Sequence, residues 1–368
     1  MLSVTRIPEL DGVRGLAVLL VLLQHYVGSI IPIGSPWRWV SEWLILCRTG
    51  VDLFFVLSGF LIGGILLDQR NAQNLLKVFY TRRAIRILPL YYLLFSLFII
   101  ARTLGATGIL FDGPIPVLAY ATFTQNYYMA EMLTAGALMM AVTWTLAIEE
   151  QFYLVFPLFV KWISPVVLPR LLLLGIASAM LGRVWAYFHY DNNYYQASFW
   201  LICRIDSLFV GVLLAWTIRQ EKIHQWLSSR KPLVTRVLVI LGLGMLMLVY
   251  AANRDIAYHM SMWGFTLLAW FYGMLVLWVL LHAGENQTRF FRIDWLVSLG
   301  VISYAVYLIH QPVLYLLFGC LSLPVSLLSL RDVGLVATAL TMTLLSCAAS
   351  FKWVERPLLA FGRRVSYL

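Results

Sequence analysis

Charge is scarce in this chain of 368 residues, of which only 12% are Asp, Glu, Lys or Arg while 61% are hydrophobic. Mean hydropathy is +0.83, far more apolar than a soluble core of this size requires, so a soluble domain is excluded and a multi-pass helical membrane protein is expected. Cysteine is equally thin. Cys47, Cys203, Cys320 and Cys347 show neither paired spacing nor a Cys-x-x-Cys unit, which argues against a disulfide framework and a zinc site, and no metal is expected. No polar linker, low-complexity run or internal repeat marks a second domain. A cleavable small-residue site is also missing after the first apolar run, so that run reads as a retained span and not a signal peptide.

Ten apolar stretches are present, near residues 13–33, 50–67, 87–104, 143–163, 170–188, 199–217, 233–251, 260–281, 296–318 and 333–352. A further segment, 113–129, is short, opens on Pro114 and Pro116, and carries Thr122, Thr124, Gln125 and Asn126. With ten spans and a cytoplasmic N-terminus, 20 Lys and Arg fall inside and five (Arg38, Arg48, Arg102, Arg254 and Arg331) fall outside. Counting 113–129 as an eleventh span would turn the basic 218–236 loop and the C-terminus outward, against the positive-inside bias. Residues 105–142 are therefore expected to stay on the outer side, interfacial or re-entrant. The fold class expected is all-α: a polytopic integral membrane protein of ten transmembrane helices with both termini cytoplasmic. One membrane domain, residues 1–356, is followed by a short basic tail, 357–368. The net charge of +10 then marks cytoplasmic loops and contact with membrane lipids, and no nucleic-acid partner is expected.

Several polar residues sit inside these spans, where an ionisable group is costly and calls for a functional account. Arg14 stands at the mouth of the first span and His25 eleven residues further on, roughly 16 Å deeper at about 1.5 Å per helical residue. In KVFYTRRAIRILPLYY, Arg82, Arg83 and Arg86 share a helical face, and planar guanidiniums there suit a phosphate-rich ligand. In TWTLAIEEQFYLVFPLF, Thr145, Glu149 and Tyr153 form a polar stripe; the packing alternative is an interhelical ion pair to Arg204. Ser303, Tyr307 and His310 form another stripe ahead of Pro312. Asp52 and Ser58 lie beside Gly59 and Gly63, whose small-xxx-small spacing predicts close helix packing.

Taken in order, IPELDGVRGLAVLLVLLQHY, GVDLFFVLSGFLI, FYTRRAIRILPLYY, TWTLAIEEQFYLVFP, RIDSLFVGVLLA, SYAVYLIHQPV and VERPLL resemble the acyltransferase-3 family of membrane O-acyltransferases over nearly the whole chain. The family's Arg-x10-His motif falls on Arg14 and His25, its Arg-x-x-Arg motif on Arg83 and Arg86, and its Trp-(Ser/Thr)-Leu-x-x-Glu-x-Gln-Phe-Tyr motif on Trp144 to Tyr153. The resemblance implies a multi-pass enzyme of the bacterial cytoplasmic (inner) membrane. It binds no cofactor, and its co-substrate is acetyl-CoA or another acyl-CoA. The acyl group goes to a hydroxyl of a glycan on the outer side, such as O-antigen, exopolysaccharide or a lipid-linked sugar. Association of copies into a homo-oligomer stays open. Some members carry an esterase-like domain after the membrane region, and none is expected here because the sequence ends at Leu368.

On that reading His25 is the general base and Glu149 orients its ring and stabilises the imidazolium. Arg14, Arg82, Arg83 and Arg86 hold the phosphates of coenzyme A, and Asp52, Glu150, Tyr153, Arg204 and His310 bind the acceptor near the outer face. A bundle with buried Glu, Arg and His also fits a proton-coupled secondary transporter of a small polar solute or glycan precursor. That architecture predicts paired broken helices in two halves, and the sequence has none.

Overall fold

Hydrocarbon offers a backbone no hydrogen-bond partner, so long apolar runs must satisfy their amides internally, and here they do so as helices. The computed structural model describes residues 7–191, 194–252 and 254–368, in which all regular structure is helical; Asn253, expected in an outer loop, lies outside the described residues. The ten long helices are α1 (Pro8–Leu23), α2 (Gly50–Asp68), α3 (Leu75–Thr103), α4 (Trp144–Trp162), α5 (Leu168–His189), α6 (Leu201–Thr217), α7 (Lys231–Ala252), α8 (Phe265–Leu281), α9 (Ser303–Cys320) and α10 (Leu330–Ser350). Nine helical stretches among the described residues are long and apolar enough to cross a membrane. The tenth expected span, 143–163, is present as α4, but Glu149, Glu150 and Lys161 within its 19 residues leave it too polar for that class.

Glycine sets the centre of the bundle. A Cβ on Gly59 of α2 would stand 2.0 Å from the Leu208 carbonyl oxygen of α6, and one on Gly211 would stand 2.1 Å from the Val56 carbonyl oxygen, so these two backbones touch. Gly63 meets Val212 one turn further on, as the Gly59/Gly63 spacing predicts. Gly59→Val is therefore expected to force α2 and α6 apart, at a cost at or above the top of the ~1–3 kcal/mol range for overpacking. Gly319→Ala, where nothing lies within 4 Å of the added carbon, is the matched control. Thermal unfolding in detergent should show the first variant several degrees below wild type and the second at or above it. Equal midpoints would show that the close approach is dispensable.

The 105–142 segment does not cross the bundle. Its helices Val117–Ala121 and Gln125–Glu131 have five and seven residues, at most about 10 Å of rise. It is nonetheless tucked inward: Gln125 and Asn126 are fully buried, Gln125 donates to the Thr143 carbonyl at 3.0 Å and Asn126 to that of Phe199 at 2.9 Å. At the far end of the chain, the helix Arg356–Gly362 packs on α3. The last residues return to the start of α3, where the Leu368 amide donates to Asn74 at 2.9 Å. Among the loops, Lys231 donates to Glu285 at 2.5 Å and holds that carboxyl below its ordinary range.

Candidate active site

α1 does not run regularly to its end. Residues Gln24–Gly28 form a π-helical turn, a wider winding that often accompanies functional side chains, and His25 sits in it. The stripe on α9 faces α1 in parallel register: Arg14 donates to Ser303 at 3.2 Å, and His25 Nδ1 lies 3.0 Å from His310 Nε2. Eleven residues on α1 match seven on α9 because the long arginine side chain reaches the difference. Between these contacts, Thr145 of α4 donates to the Tyr307 hydroxyl at 2.9 Å.

The hydrogen-bond network assigns the tautomers. His310 Nδ1 faces the carbonyls of Tyr307 at 2.7 Å and Val306 at 3.2 Å, so it carries a proton. In the neutral ring His310 Nε2 is then an acceptor. His25 Nδ1 faces that nitrogen and the Val21 carbonyl at 3.1 Å, both acceptors, so it too carries the proton. His25 is left with one lone pair, on Nε2.

Two cavities approach this point from opposite ends of the bundle. One, of about 140 Å³, is lined by Arg14, Arg83, Arg86, Glu149 and Tyr153. Three guanidiniums against one carboxylate make it strongly positive. Arg83 lies over the Tyr153 ring at 5.2 Å, and Glu149 accepts from Ser58 at 2.5 Å. The other, of about 440 Å³, contains His25, Arg48, Asp52, Arg204 and Gln311 along with an aromatic wall that includes Trp144 and Phe199. Val51 and Tyr307 line both cavities and so form the partition between them.

Several expected placements change. Glu149 does not stand behind His25; His310 does. The 115–143 segment leads into α4 and, through the buried Gln125, Asn126 and Thr143, packs on its N-terminal end, while Glu149, one to two turns in, meets Ser58 midway along α2. Tyr153 accordingly lines the arginine cavity and not the other, and Glu150 lines neither cavity, its buried Oε1 having no partner among the described residues. Arg82 leaves the arginine face, because it donates to the Val365 carbonyl at 2.9 Å and lies over Tyr367. Arg204 pairs with Asp52 at 2.8 Å and not with a glutamate, and that pair belongs to the wall of the larger cavity. A second buried pair, Arg183 with Asp206 at 2.9 Å, ties α5 to α6 away from both cavities.

Sequence reasoning passed over Arg48 and Gln311. Arg48 reads only as an outer flanking charge, and Gln311 follows His310 without a pattern of its own. With its amide turned to donate to the Leu44 carbonyl, Gln24 accepts from Arg48 and draws that guanidinium over the cavity.

The bundle thus holds an arginine-lined cavity, which includes Arg14, Arg83 and Arg86 of the motifs, and a second cavity that includes His25. Residues 7–351 match the acyltransferase domain model of the acyltransferase-3 type, and the chain belongs to that family. It is similar to a peptidoglycan O-acetyltransferase, OatA, of Listeria monocytogenes, with 26% identity over 96% of this chain and 56% of that protein. It is also similar to the O-acetyltransferase OatA of Staphylococcus aureus, with 24% identity over 85% of this chain and 51% of that protein. The chain thus spans about half the length of the curated relatives it matches. No solved structure matches it.

Proposed function

We propose that the chain is a membrane O-acyltransferase that moves acetyl from coenzyme A to a hydroxyl of a glycan on the outer side of the bacterial cytoplasmic membrane. The observation that carries this reading is the pair of cavities, one cationic and one holding His25, that meet across Val51 and Tyr307. On this reading the chain crosses ten times, α4 included, with both termini cytoplasmic, so that the arginine cavity faces the coenzyme A side and the histidine cavity the glycan side; the positive-inside bias of the basic loops supports it. The peptidoglycan named for the Listeria relative makes a cell-envelope glycan the natural class of acceptor.

Arg14, Arg83 and Arg86 hold the phosphates, since the guanidinium fork matches phosphate oxygens in pairs. Glu149 tempers the charge among them. The thioester arm extends past Tyr307, and His25 Nε2 takes the acceptor's hydroxyl proton as the oxygen attacks the thioester carbonyl carbon. The carbon–sulfur bond then breaks, and the departing sulfur takes the proton from His25. An ester and free coenzyme A result. Keeping bulk water out of the partition protects the thioester from hydrolysis.

The test uses protein reconstituted in one orientation in vesicles. Labelled acetyl-CoA on the face of the basic loops should acetylate a glycan supplied only on the other face, with coenzyme A released on the first. Arg83→Ala or Arg86→Ala should raise KM for acetyl-CoA about ten-fold or more, the worth of a charge-assisted hydrogen bond, and move KM for the acceptor little. Transfer that needs both substrates on one face, or an unchanged acetyl-CoA KM, would refute the arrangement.

A further inference from the structure

Buried polar atoms normally have partners, and those that lack one call for an explanation. The larger cavity gathers several. Arg204 is 2% exposed and is held by Asp52 through Nη2; its Nε and Nη1 have no hydrogen-bond partner among the described residues. Its flat face rests on the Phe265 ring at 3.7 Å, so the unused edge is fixed in direction. The same cavity is lined by Ser198, whose buried hydroxyl has no partner among the described residues, and by Gln311, whose buried Oε1 likewise has none among them. Two donors, one acceptor and one hydroxyl that does either job form a mixed set. A simple anion would leave Gln311 Oε1 unsatisfied, and a fatty alcohol would leave most of the set unsatisfied. A sugar ring, whose hydroxyls both give and take, answers all of it.

Charge adds a second condition. The formally charged side chains on the wall are Arg48, Asp52 and Arg204. Since Asp52 is engaged by Arg204, the cavity wall carries one positive charge in excess, on Arg48, which has no carboxylate partner among the described residues. Resting on the acyltransferase reading of this cavity, we propose that its acceptor is an acidic glycan. Arg204, Ser198 and Gln311 take the ring hydroxyls of the acylated unit, and Arg48 takes an anionic group beside it. The anion is either a sugar carboxylate or the phosphate of a lipid-linked sugar, and both present the same charged oxygens to a guanidinium.

The experiment is equilibrium binding to the full chain in lipid nanodiscs with no acyl donor present. Three probes are compared: a disaccharide with one uronic acid, its carboxyl-reduced neutral counterpart, and that neutral disaccharide carrying a short prenyl diphosphate. One acidic probe should bind about ten-fold or more tighter than the neutral one, as a charge-assisted contact implies. That preference should shrink with added salt, fall to within about three-fold in Arg48→Gln, and largely return in Arg48→Lys, because the contact is mainly charge. Whichever acidic probe wins identifies the source of the anion. A neutral disaccharide that binds as tightly as both acidic probes, or a preference that survives Arg48→Gln, overturns the proposal. Binding is read without transfer, and transfer is read in the vesicle assay, so acidic preference here without acetylation there counts against the acyltransferase reading alone, and acetylation there without acidic preference here counts against this proposal alone.

Discussion

His25→Ala should lower acyl transfer by about 10²- to 10⁴-fold, the range a positioned general base supplies. The geometry gives the reason. With Nδ1 committed to the Val21 carbonyl and His310, the ring offers one lone pair on the wall of the larger cavity, and alanine removes it. Folding should change much less. The substitution leaves His310 Nε2 without its donor, a loss of about 1–3 kcal/mol if nothing replaces it, but removing the ring that lines the larger cavity leaves room for a water to take the donor's place. Initial rates of acetyl transfer, read beside the thermal midpoint in the same detergent, separate the two effects. Activity within ten-fold of wild type at an unchanged midpoint would remove His25 from the chemistry.

Much of this architecture was legible in the chain, and the parts that were not share a cause. Hydrophobic runs mark the long helices because a span must satisfy its own backbone, and Gly59 with Gly63 announces the α2–α6 contact. Arg14, Arg83 and Arg86 converge as their motifs imply. Periodicity describes only one helix at a time, however. Glu149 reads as lying near the outer end of its helix, yet the 115–143 segment folds against that end, and no pattern in it announces that Gln125 and Asn126 are fully enclosed. Arg82 shares a helical face with Arg86 on paper, but a carbonyl from the far end of the chain, Val365, captures it. Partners remote in sequence decide such cases. Arg204 is the clearest of them, since on sequence grounds its ion-pair partner lay among the glutamates of α4, and the α2–α6 packing gave it Asp52 instead.

His310 is expected to act on the reaction through His25, as a positioning residue. His310→Leu removes the nearer of the two acceptors of His25 Nδ1 and leaves only the Val21 carbonyl, so the ring is held less firmly and its proton moves more readily to Nε2, where it can no longer serve as base. Transfer should then fall by about 10²-fold or more, since a wrongly held histidine tautomer has cost comparable enzymes up to about 10⁴-fold. KM for either substrate should move little, because His310 lines neither cavity. His310→Gln is the discriminating variant. Its amide oxygen can stand near the place of Nε2 and accept the same hydrogen bond, but it cannot take up a proton. Retention of activity within about ten-fold in His310→Gln, with nitrogen NMR showing His25 protonated on Nδ1, would establish positioning. If His310→Gln were as inactive as His310→Leu while His25 kept that tautomer, the pair would instead be passing a proton between rings. If His310→Leu were fully active, the 3.0 Å contact would be packing alone.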